Sequence, residues 1–267
     1  MLLPGREAFF RQFIHDYETI RAAEGRISED PADYRSLPYR DLSGRMSKDW
    51  QIRSASFAVF IRKILIPMQR REEQPLLILD LGAGNGWLSN QLAARGHRVA
   101  AVDLITNHFD GLGCFRYYEA EFTPAQAEFD HLPFPKQAAD LVVFNASLHY
   151  SVGYLETLRE ALRVLRPGGR LVILDTPVYQ HLESGLEMVR ERELQFVRWY
   201  GLASNALHSE NFLTYPRLKE LSELLHVEWQ IITPFYGWRW LIRPLVNRLA
   251  GRREPAKFHM IVARLSS

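Results

Sequence analysis

The chain has 267 residues, of which 47% are hydrophobic and 12% aromatic, enough for one α/β domain with appended helices. Lysine and arginine number 33 against 31 acidic residues, and a formal net charge of +2 does not favour a nucleic-acid partner. The single cysteine, Cys114, excludes an intrachain disulfide framework and most cysteine-based metal sites, and it fits a reducing, cytoplasmic location.

The first 72 residues are expected to form a mostly helical cover. Apolar side chains recur there at helical spacing at Phe9, Phe10, Phe13, Ile14 and Tyr17. A second helix is predicted from about Ser47 to Leu65, ending before Pro67. The start has no signal-peptide pattern, and the chain has no apolar run of about 18 residues, so we expect no membrane-spanning segment.

From residue 76 the hydrophobic pattern becomes that of strands. Continuous apolar runs lie at 76–81, 98–104, 140–145 and 170–176. Such runs are typical of strands buried on both faces of a parallel sheet. Amphipathic helices are predicted at 87–96 and 154–165. This alternation predicts βαβ units and an α/β, Rossmann-like, doubly wound sheet over a domain of residues 73–267.

The remaining segments have weaker patterns. We expect a further strand near Gln126–Phe129 and an insertion of helices and loops at about 178–226, after the fifth strand. Two late strands are predicted at 228–236 and 257–265.

A basic amphipathic segment, residues 238–257, joins the two late strands. Its apolar residues on one helical face are Trp238, Leu241, Ile242, Leu245 and Leu249. Pro244 is expected to bend this helix or to begin a new one. We prefer a helix packed on the sheet; the alternatives are a peripheral membrane or acidic-partner element and a dimer interface.

Three glycines, Gly82, Gly84 and Gly86, follow the first predicted strand, where open parallel sheets bind ligands. Glycine permits positive φ angles and close approach of a ligand to the main chain. No lysine follows as a P-loop requires, and the GxGxG spacing differs from the GxGxxG of dinucleotide folds. Asp80 would repel a pyrophosphate but suits a cationic ligand, and Asp103 could accept two ribose hydroxyls. S-adenosylmethionine is therefore favoured over a dinucleotide or a turn without ligand.

The blocks from 76 to 176 resemble the class I S-adenosylmethionine-dependent methyltransferases, especially the small-molecule group called type 11. The matching blocks are LDLGAGNG (79–86), VDL (102–104), AEFDHLPFP (127–135), DLVVFNASLHY (140–150) and LREALRVLRPGGRLVILD (158–175). The resemblance implies a seven-stranded, mostly parallel sheet with a final antiparallel strand at 257–265. Between 105 and 126 the sequence departs from the family pattern.

The resemblance also implies a set of cofactor residues. They are Asp80, Gly82, Ala83, Gly84, Asn85, Gly86, Asp103, Leu104, Glu128, Phe129 and Asn145. Asp80 would hold the loop or the ammonium group, and Asp103 the ribose. Glu128 would lie beside the adenine amino group, Phe129 would flank the adenine ring, and the carbonyl of Asn145 would close the methionine end.

Methyl transfer needs alignment and exclusion of water, and a base only when the acceptor must lose a proton. His149 is a candidate base, although local packing explains it as well, and Tyr150 and Tyr179 are candidate substrate contacts. Arg53 could pair with the methionine carboxylate. The nine histidines show no HxxxH or HExxH pair, so we predict no metal.

These observations favour an S-adenosylmethionine-dependent methyltransferase that acts on a small-molecule acceptor, with O-, N- and C-methylation all open. The alternatives are an NAD(P)-dependent Rossmann oxidoreductase and a catalytically silent cofactor-binding protein. No basic, aromatic-interleaved groove favours an RNA acceptor.

Overall fold

The computed structural model describes residues 5–28, 30–72, 74–202 and 207–265. Its strands are β1 (Leu77–Leu81), β2 (Arg98–Asp103), β3 (Thr123–Gln126), β4 (Ala139–Asn145), β5 (Leu165–Leu174), β6 (Pro177–Tyr179), β7 (Leu213–Thr214), β8 (Val227–Ile232), β9 (Lys257–Phe258) and β10 (Met260–Leu265). Its helices are α1 (Glu7–Ala23), α2 (Pro31–Arg35), α3 (Ser47–Phe60), α4 (Ile66–Gln69), α5 (Trp87–Ala93), α6 (Tyr154–Val164), α7 (Leu182–Tyr200), α8 (Tyr215–Leu225) and α9 (Trp238–Leu249). Terminal parts of the predicted cover and of the 73–267 domain, and 203–206 of the predicted insertion, lie outside the described residues.

Seven strands form the main sheet, in the order β3-β2-β1-β4-β5-β10-β8. β10 runs antiparallel to both of its neighbours, and the other pairings are parallel. The predicted Rossmann-like sheet with a late antiparallel strand is therefore confirmed. Strand order reverses between β1 and β4, which places a ligand crevice at the carboxyl end of β1.

The sheet is buried on both faces because its strands are apolar at successive positions. In β1, Leu79 and Leu81 belong to one core cluster, with residues of α6 and α8. Ile78 belongs to the other cluster, with residues of α3 and α5. Helices on both faces thus hold the strand ends in fixed positions.

The third strand lies at Thr123–Gln126 and begins three residues before the strand predicted near Gln126–Phe129, so that prediction was wrong. The strand contains Pro124, which breaks the usual sequence pattern of a strand. β3 is the edge strand of the sheet. A proline is tolerated there because an edge strand has a neighbour on one side only and can do without one N–H donor. Glu128 and His131 instead form an isolated bridge after it.

The predicted end of the second helix before Pro67 was also wrong. A π-helical turn, Ile61–Leu65, joins α3 to α4, which contains Pro67 in its first turn. The wider turn places the proline in the first turn of a new helix, where its missing N–H costs no helical hydrogen bond.

The predicted insertion after the fifth strand contains more than helices and loops. β6 and β7 pair with each other, and β6 also pairs with β9, in a second sheet of three short strands. The predicted strand 257–265 is therefore divided between two sheets at His259. That buried side chain hydrogen-bonds Tyr215 at 3.0 Å and Thr233 at 2.8 Å.

The basic segment forms one helix, α9, that continues through Pro244. No residue of α9 is buried, so the preferred interpretation of a helix packed on the sheet was wrong. Amphipathic spacing gives the apolar face but not what covers it. Among the described residues, no helix is long and apolar enough to cross a membrane.

Candidate functional site

A cavity of about 470 Å³ opens at the carboxyl ends of β1, β2 and β4. The loop after β1 contributes Gly82, Ala83, Gly84 and Asn85 to its lining. Other predicted residues in the lining are Arg53, Asp103, Leu104, Phe129, Asn145 and Tyr150. Asp80, Gly86, Glu128, His149 and Tyr179 do not line it.

The glycine loop has the positive φ angles that its sequence indicated. Gly82, Gly84 and Gly86 have φ angles of 74°, 53° and 79°. A Cβ atom on Gly82 would lie 2.3 Å from the Cβ of Ser147, so the close approach of the two loops also requires glycine. Gly86 is the N-cap of α5 and supports the loop from outside the cavity.

Asp80 is a buried support beneath this loop. Its Oδ2 accepts a hydrogen bond from the Ser89 hydroxyl at 2.7 Å, and the side chain is 1% exposed. Burial raises the pKa of Asp80 to about 7, and the hydrogen bond from Ser89 opposes this shift. The contact ties β1 to α5. Two roles were expected for Asp80, holding the loop or holding the ammonium group, and this contact supports the first.

Asp103 is the acidic residue at the end of β2. Its Oδ2 accepts from the Gly84 N–H at 2.7 Å, and its Oδ1 accepts from the Ile105 N–H at 2.8 Å. Each carboxylate oxygen retains a lone pair for a further donor. Burial raises the pKa of Asp103, whereas the two backbone bonds lower it. This carboxylate can therefore accept hydroxyl groups beside the glycine loop.

Phe129 and Glu128 follow β3. The Phe129 ring lines the cavity and packs edge-on against Phe144, with 5.4 Å between centroids. Glu128 is 2% exposed and pairs with Arg6 from α1, with 2.7 Å between Oε2 and Nε. An adenine beside Phe129 would lie next to this ion pair.

Arg53 reaches the cavity from α3. Its guanidinium lies 4.8 Å from the centre of the Trp50 ring and forms no ion pair with a residue in the described ranges. Burial lowers the pKa of Arg53, as do the charges of Arg21 and Arg26. A half-buried cation of this kind favours an anionic group of a ligand.

Helix α1 lies against the cavity, and its residues there were not among the predicted site residues. Its residues in the lining are Phe10, Phe13, Tyr17 and Arg21, next to Arg6 at its N-cap. Arg21 hydrogen-bonds Tyr17 and pairs with Asp110 at 3.0 Å. The helical spacing of the aromatic residues was a signal for a buried face, but it did not say against what that face packs.

The aromatic end of the cavity holds Tyr150. Its ring centroid lies 6.1 Å from that of Phe13 and 6.0 Å from that of Tyr17. The His149 ring is tilted against Tyr150, with 4.5 Å between centroids, outside the cavity lining, and its Nδ1 has no hydrogen-bond partner among the described residues. Burial and three arginines lower the pKa of His149 to about 3.

Tyr179 lies away from the cavity, in β6 of the second sheet. It is 1% exposed, packs edge-on against Phe212, and accepts a hydrogen bond from Arg253 at 3.4 Å. Tyr179 therefore has a packing environment.

One group of residues within the described ranges has metal-ligand spacing, namely Glu128, Asp130 and His131. Arg6 pairs with Glu128 at 2.7 Å and with Asp130 at 3.5 Å, so a cation already lies against both acids. The predicted absence of a metal stays a prediction.

Comparison with known proteins identifies this architecture. Residues 79–173 match the family model of a methyltransferase domain. The malonyl-[acyl-carrier protein] O-methyltransferase of Hahella chejuensis is 32% identical over 148 residues, 51% of this chain and 53% of that protein. The demethylmenaquinone methyltransferase of Clavibacter sepedonicus is 37% identical over 116 residues, 42% of this chain and 46% of that protein. The chain thus spans about half the length of these curated relatives.

A solved structure has the same fold. It is the 1,6-didemethyltoxoflavin-N1-methyltransferase of Burkholderia thailandensis, with bound 1,6-didemethyltoxoflavin and S-adenosylhomocysteine. The similarity has a TM-score of 0.52 at 20% identity and covers 95% of this chain and 90% of that one. Residues 79–173 thus match the methyltransferase-domain family, and the sheet order and this solved structure show that the chain has the fold of the class I S-adenosylmethionine-dependent methyltransferases.

Proposed function

We propose that this chain transfers a methyl group from S-adenosylmethionine to a small-molecule acceptor by in-line displacement. The observation that carries the proposal is the pairing of Asp103 with the Gly84 N–H at 2.7 Å in a cavity that also contains Arg53. A carboxylate that can accept hydroxyl groups and a half-buried cation in one cavity match the ribose and the carboxylate of that cofactor.

The residues at the cavity fit the parts of the cofactor in order. We assign Asp103 to the ribose hydroxyls, Phe129 to a face of the adenine, and Arg53 to the methionine carboxylate. Arg53 forms no ion pair among the described residues and lies near the charges of Arg21 and Arg26, which supports the last assignment, because a half-buried guanidinium in that setting favours an anion. Asn145, after β4, is assigned to the methionine end.

The cofactor supplies a methyl group already activated by the sulfonium. The protein therefore has to align the acceptor and exclude water. We assign the exclusion of water to Phe13, Tyr17 and Tyr150, whose rings meet over the cavity. We also propose a division into a cover of residues 1–72 and a catalytic domain of residues 73–267, and the position of α1 in the cavity lining supports it.

The cavity has a size suited to a small acceptor beside a cofactor. Sites for ligands of drug-like size have volumes of about 300–1,000 Å³. The relatives from Hahella and Clavibacter are named for methylation of a carrier-bound malonyl group and of a demethylmenaquinone. Their different acceptors leave the choice of acceptor atom in this chain to experiment.

A melting experiment tests the cofactor class. Adenosylmethionine and adenosylhomocysteine should each raise the melting temperature of the full chain, whereas NADH and NADPH should not. Stabilisation by a nicotinamide cofactor alone would make the oxidoreductase alternative correct.

A turnover assay then separates an enzyme from a silent binder. The full chain is incubated with adenosylmethionine and mixtures of small hydroxy, amino and carbon-acid acceptors, and release of adenosylhomocysteine is measured. Acceptor-dependent release is expected. Tight cofactor binding without release in any mixture would favour a catalytically silent protein.

A further inference from the structure

Helix α9 presents an apolar face that no described part of the chain covers. Its most exposed apolar residues are Trp238, Leu241, Ile242, Leu245, Val246 and Leu249. Their exposed fractions lie between 49% and 81%. Phe235, just before the helix, is 59% exposed and packs edge-on against Trp238. The apolar surface is therefore continuous from this loop along the helix.

The opposite side of α9 makes its contacts with the protein. The Trp240 ring lies 5.2 Å from Tyr236 and 5.8 Å from Phe258, and Arg243 covers Trp240 at 3.9 Å. Asn247 donates to the Arg253 carbonyl at 3.0 Å. At about 100° per residue, the side chains of 240, 243 and 247 lie opposite the apolar face. The apolar face therefore points away from the protein.

Positive charge flanks this face. Arg239 and Arg248 lie on its two sides by helical geometry, and Arg252 follows the helix. None of these three arginines forms an ion pair with another residue of the ranges that the structure describes. The sequence from 238 to 253 contains no acidic residue.

We propose that α9 docks the protein on the surface of an anionic phospholipid bilayer, with its axis parallel to the membrane plane. The apolar face would enter the boundary between headgroups and acyl chains, and the flanking arginines would meet lipid phosphates. Trp238 has the amphipathic ring that favours this boundary. A helix of 12 residues is about 18 Å long, too short to span a hydrocarbon core of about 30 Å.

Charge complementarity favours this occupant over a second copy of the chain. Two copies that packed α9 face to face would bring the arginines of both helices close together without an acid between them. Like charges in an interface oppose association. An anionic lipid surface can contact the apolar face with its acyl chains and the arginines with its phosphates.

Helix α9 begins at the end of the sheet where the candidate site lies. β8 runs parallel to β5, so Ile232 and the start of α9 lie at the carboxyl edge. Ser56 joins the two regions, because its hydroxyl bonds Tyr236 at 2.8 Å and Asp175 at 2.5 Å. The start of α9 therefore lies at the same end of the sheet as the candidate site.

Vesicle flotation of the full chain tests the proposal. Vesicles of phosphatidylcholine with about one third phosphatidylglycerol should bind the protein at least about tenfold more tightly than phosphatidylcholine alone. Leu245→Glu with Leu249→Glu should abolish this binding, and Arg239→Gln with Arg248→Gln should weaken it at least about tenfold. Leu224→Glu, on an exposed leucine of α8, is the matched control and should bind as the wild type does.

The readouts separate docking from unfolding and from dimerisation. The α9 residues changed in the leucine pair are exposed, so its melting temperature should stay within a few degrees of the wild type. Equal binding to neutral and anionic vesicles, or wild-type binding by the leucine pair, would overturn the proposal. So would a wild-type dimer in light scattering that the leucine pair converts to a monomer without any vesicle binding.

Discussion

Arg6 and Glu128 form an ion pair at the N-terminal end of α1, with 2.7 Å between Nε and Oε2. At the other end of the same helix, Arg21 pairs with Asp110 at 3.0 Å. Helix α1 is thus held at both ends across the cavity, by acids that lie after β3 and after β2. The two pairs make the N-terminal helix a cover whose attachment is electrostatic at its ends and aromatic in its middle.

Loss of both pairs should loosen the cover without unfolding the sheet. In the double variant Arg6→Gln with Arg21→Gln, amide exchange over Glu7–Ala23 should accelerate at least about tenfold, because two buried carboxylates lose their partners. Exchange in β4 should not change. Arg11→Gln, at an exposed position of α1, is the control. Unchanged exchange in the double variant would show that the aromatic contacts alone hold the helix.

Asp103 should control affinity for the nucleoside part of the cofactor. Asp103→Ala removes a charged acceptor of two hydroxyls and should weaken binding of adenosylhomocysteine at least about tenfold in calorimetry. The variant also releases the Gly84 N–H, so circular dichroism must show an intact fold. Glu156→Gln, which changes another acid of the cavity lining, should bind normally. Unchanged affinity in Asp103→Ala would refute the ribose assignment.

Arg53 should recognise the amino-acid end of the cofactor and not its nucleoside. Arg53→Met should weaken adenosylhomocysteine at least about tenfold, because the carboxylate loses its cation. The same variant should bind methylthioadenosine, which lacks that carboxylate, as tightly as the wild type does. Lys63→Met, on an exposed lysine of the π-helical turn, is the control. An equal loss for both ligands would mean that Arg53 supports the cavity without contacting the carboxylate.

Local patterns were sufficient to predict the parts of the site that one βαβ unit builds. The apolar run into Asp80, the alternating glycines and the acid at Asp103 are all determined by nearby sequence. Gly82, Gly84 and Asp103 line one cavity, whereas Asp80 lies buried against Ser89 of α5. The cover was different, because the helical spacing of Phe13 and Tyr17 predicts a buried face but not the surface that buries it. Distances such as that from Arg21 to Asp110 depend on the tertiary fold.

The same limit explains the errors in the strands and in α9. Pro124 lowers the strand signal of β3, and only the position of that strand at the sheet edge makes the proline harmless. The pattern of α9 is the same whether its apolar face packs on a sheet or meets a membrane. The side chain of Leu249 is 81% exposed, and this exposure is determined by the tertiary fold, not by the local sequence.

Asp80 should make the stability of the ligand-free protein fall as the pH rises. Burial raises the pKa of Asp80 to about 7, so the folded state binds this proton more tightly than the unfolded chain does. The stabilisation from the protonated acid is complete below the unfolded pKa and is lost as the pH rises to about 7. Asp80→Asn keeps an acceptor for Ser89 and should flatten the melting temperature between about pH 5 and about pH 8.

Ser89→Ala provides the opposite change for the same acid. Removing the hydroxyl takes away a bond that lowers the pKa of Asp80, so the fall in melting temperature should become larger and extend to higher pH. Identical pH profiles for Asp80→Asn and the wild type would show that this carboxyl is ionised in the folded protein throughout.

His149 should stay neutral through the physiological range and should act by packing. Burial, with the charges of Arg192, Arg53 and Arg21, lowers the pKa of His149 to about 3. Its imidazole proton signals in a spectrum of the adenosylhomocysteine complex should therefore not titrate between about pH 5 and about pH 8. Since the folded pKa is below the unfolded one, the stabilisation from the neutral ring is lost as the pH falls through the acid range.

Turnover provides the second measurement on His149. A base with so low a pKa would be weak, so His149→Gln should keep turnover within about threefold of the wild type once an acceptor is found. Tyr150→Phe, which keeps the ring that meets Tyr17 and Phe13, is the matched variant inside the cavity. A titration midpoint near neutrality together with a large loss of turnover in His149→Gln would instead make His149 the general base. Because His149 does not line the cavity, such a result would also require that the loop after β4 rearrange when the acceptor binds.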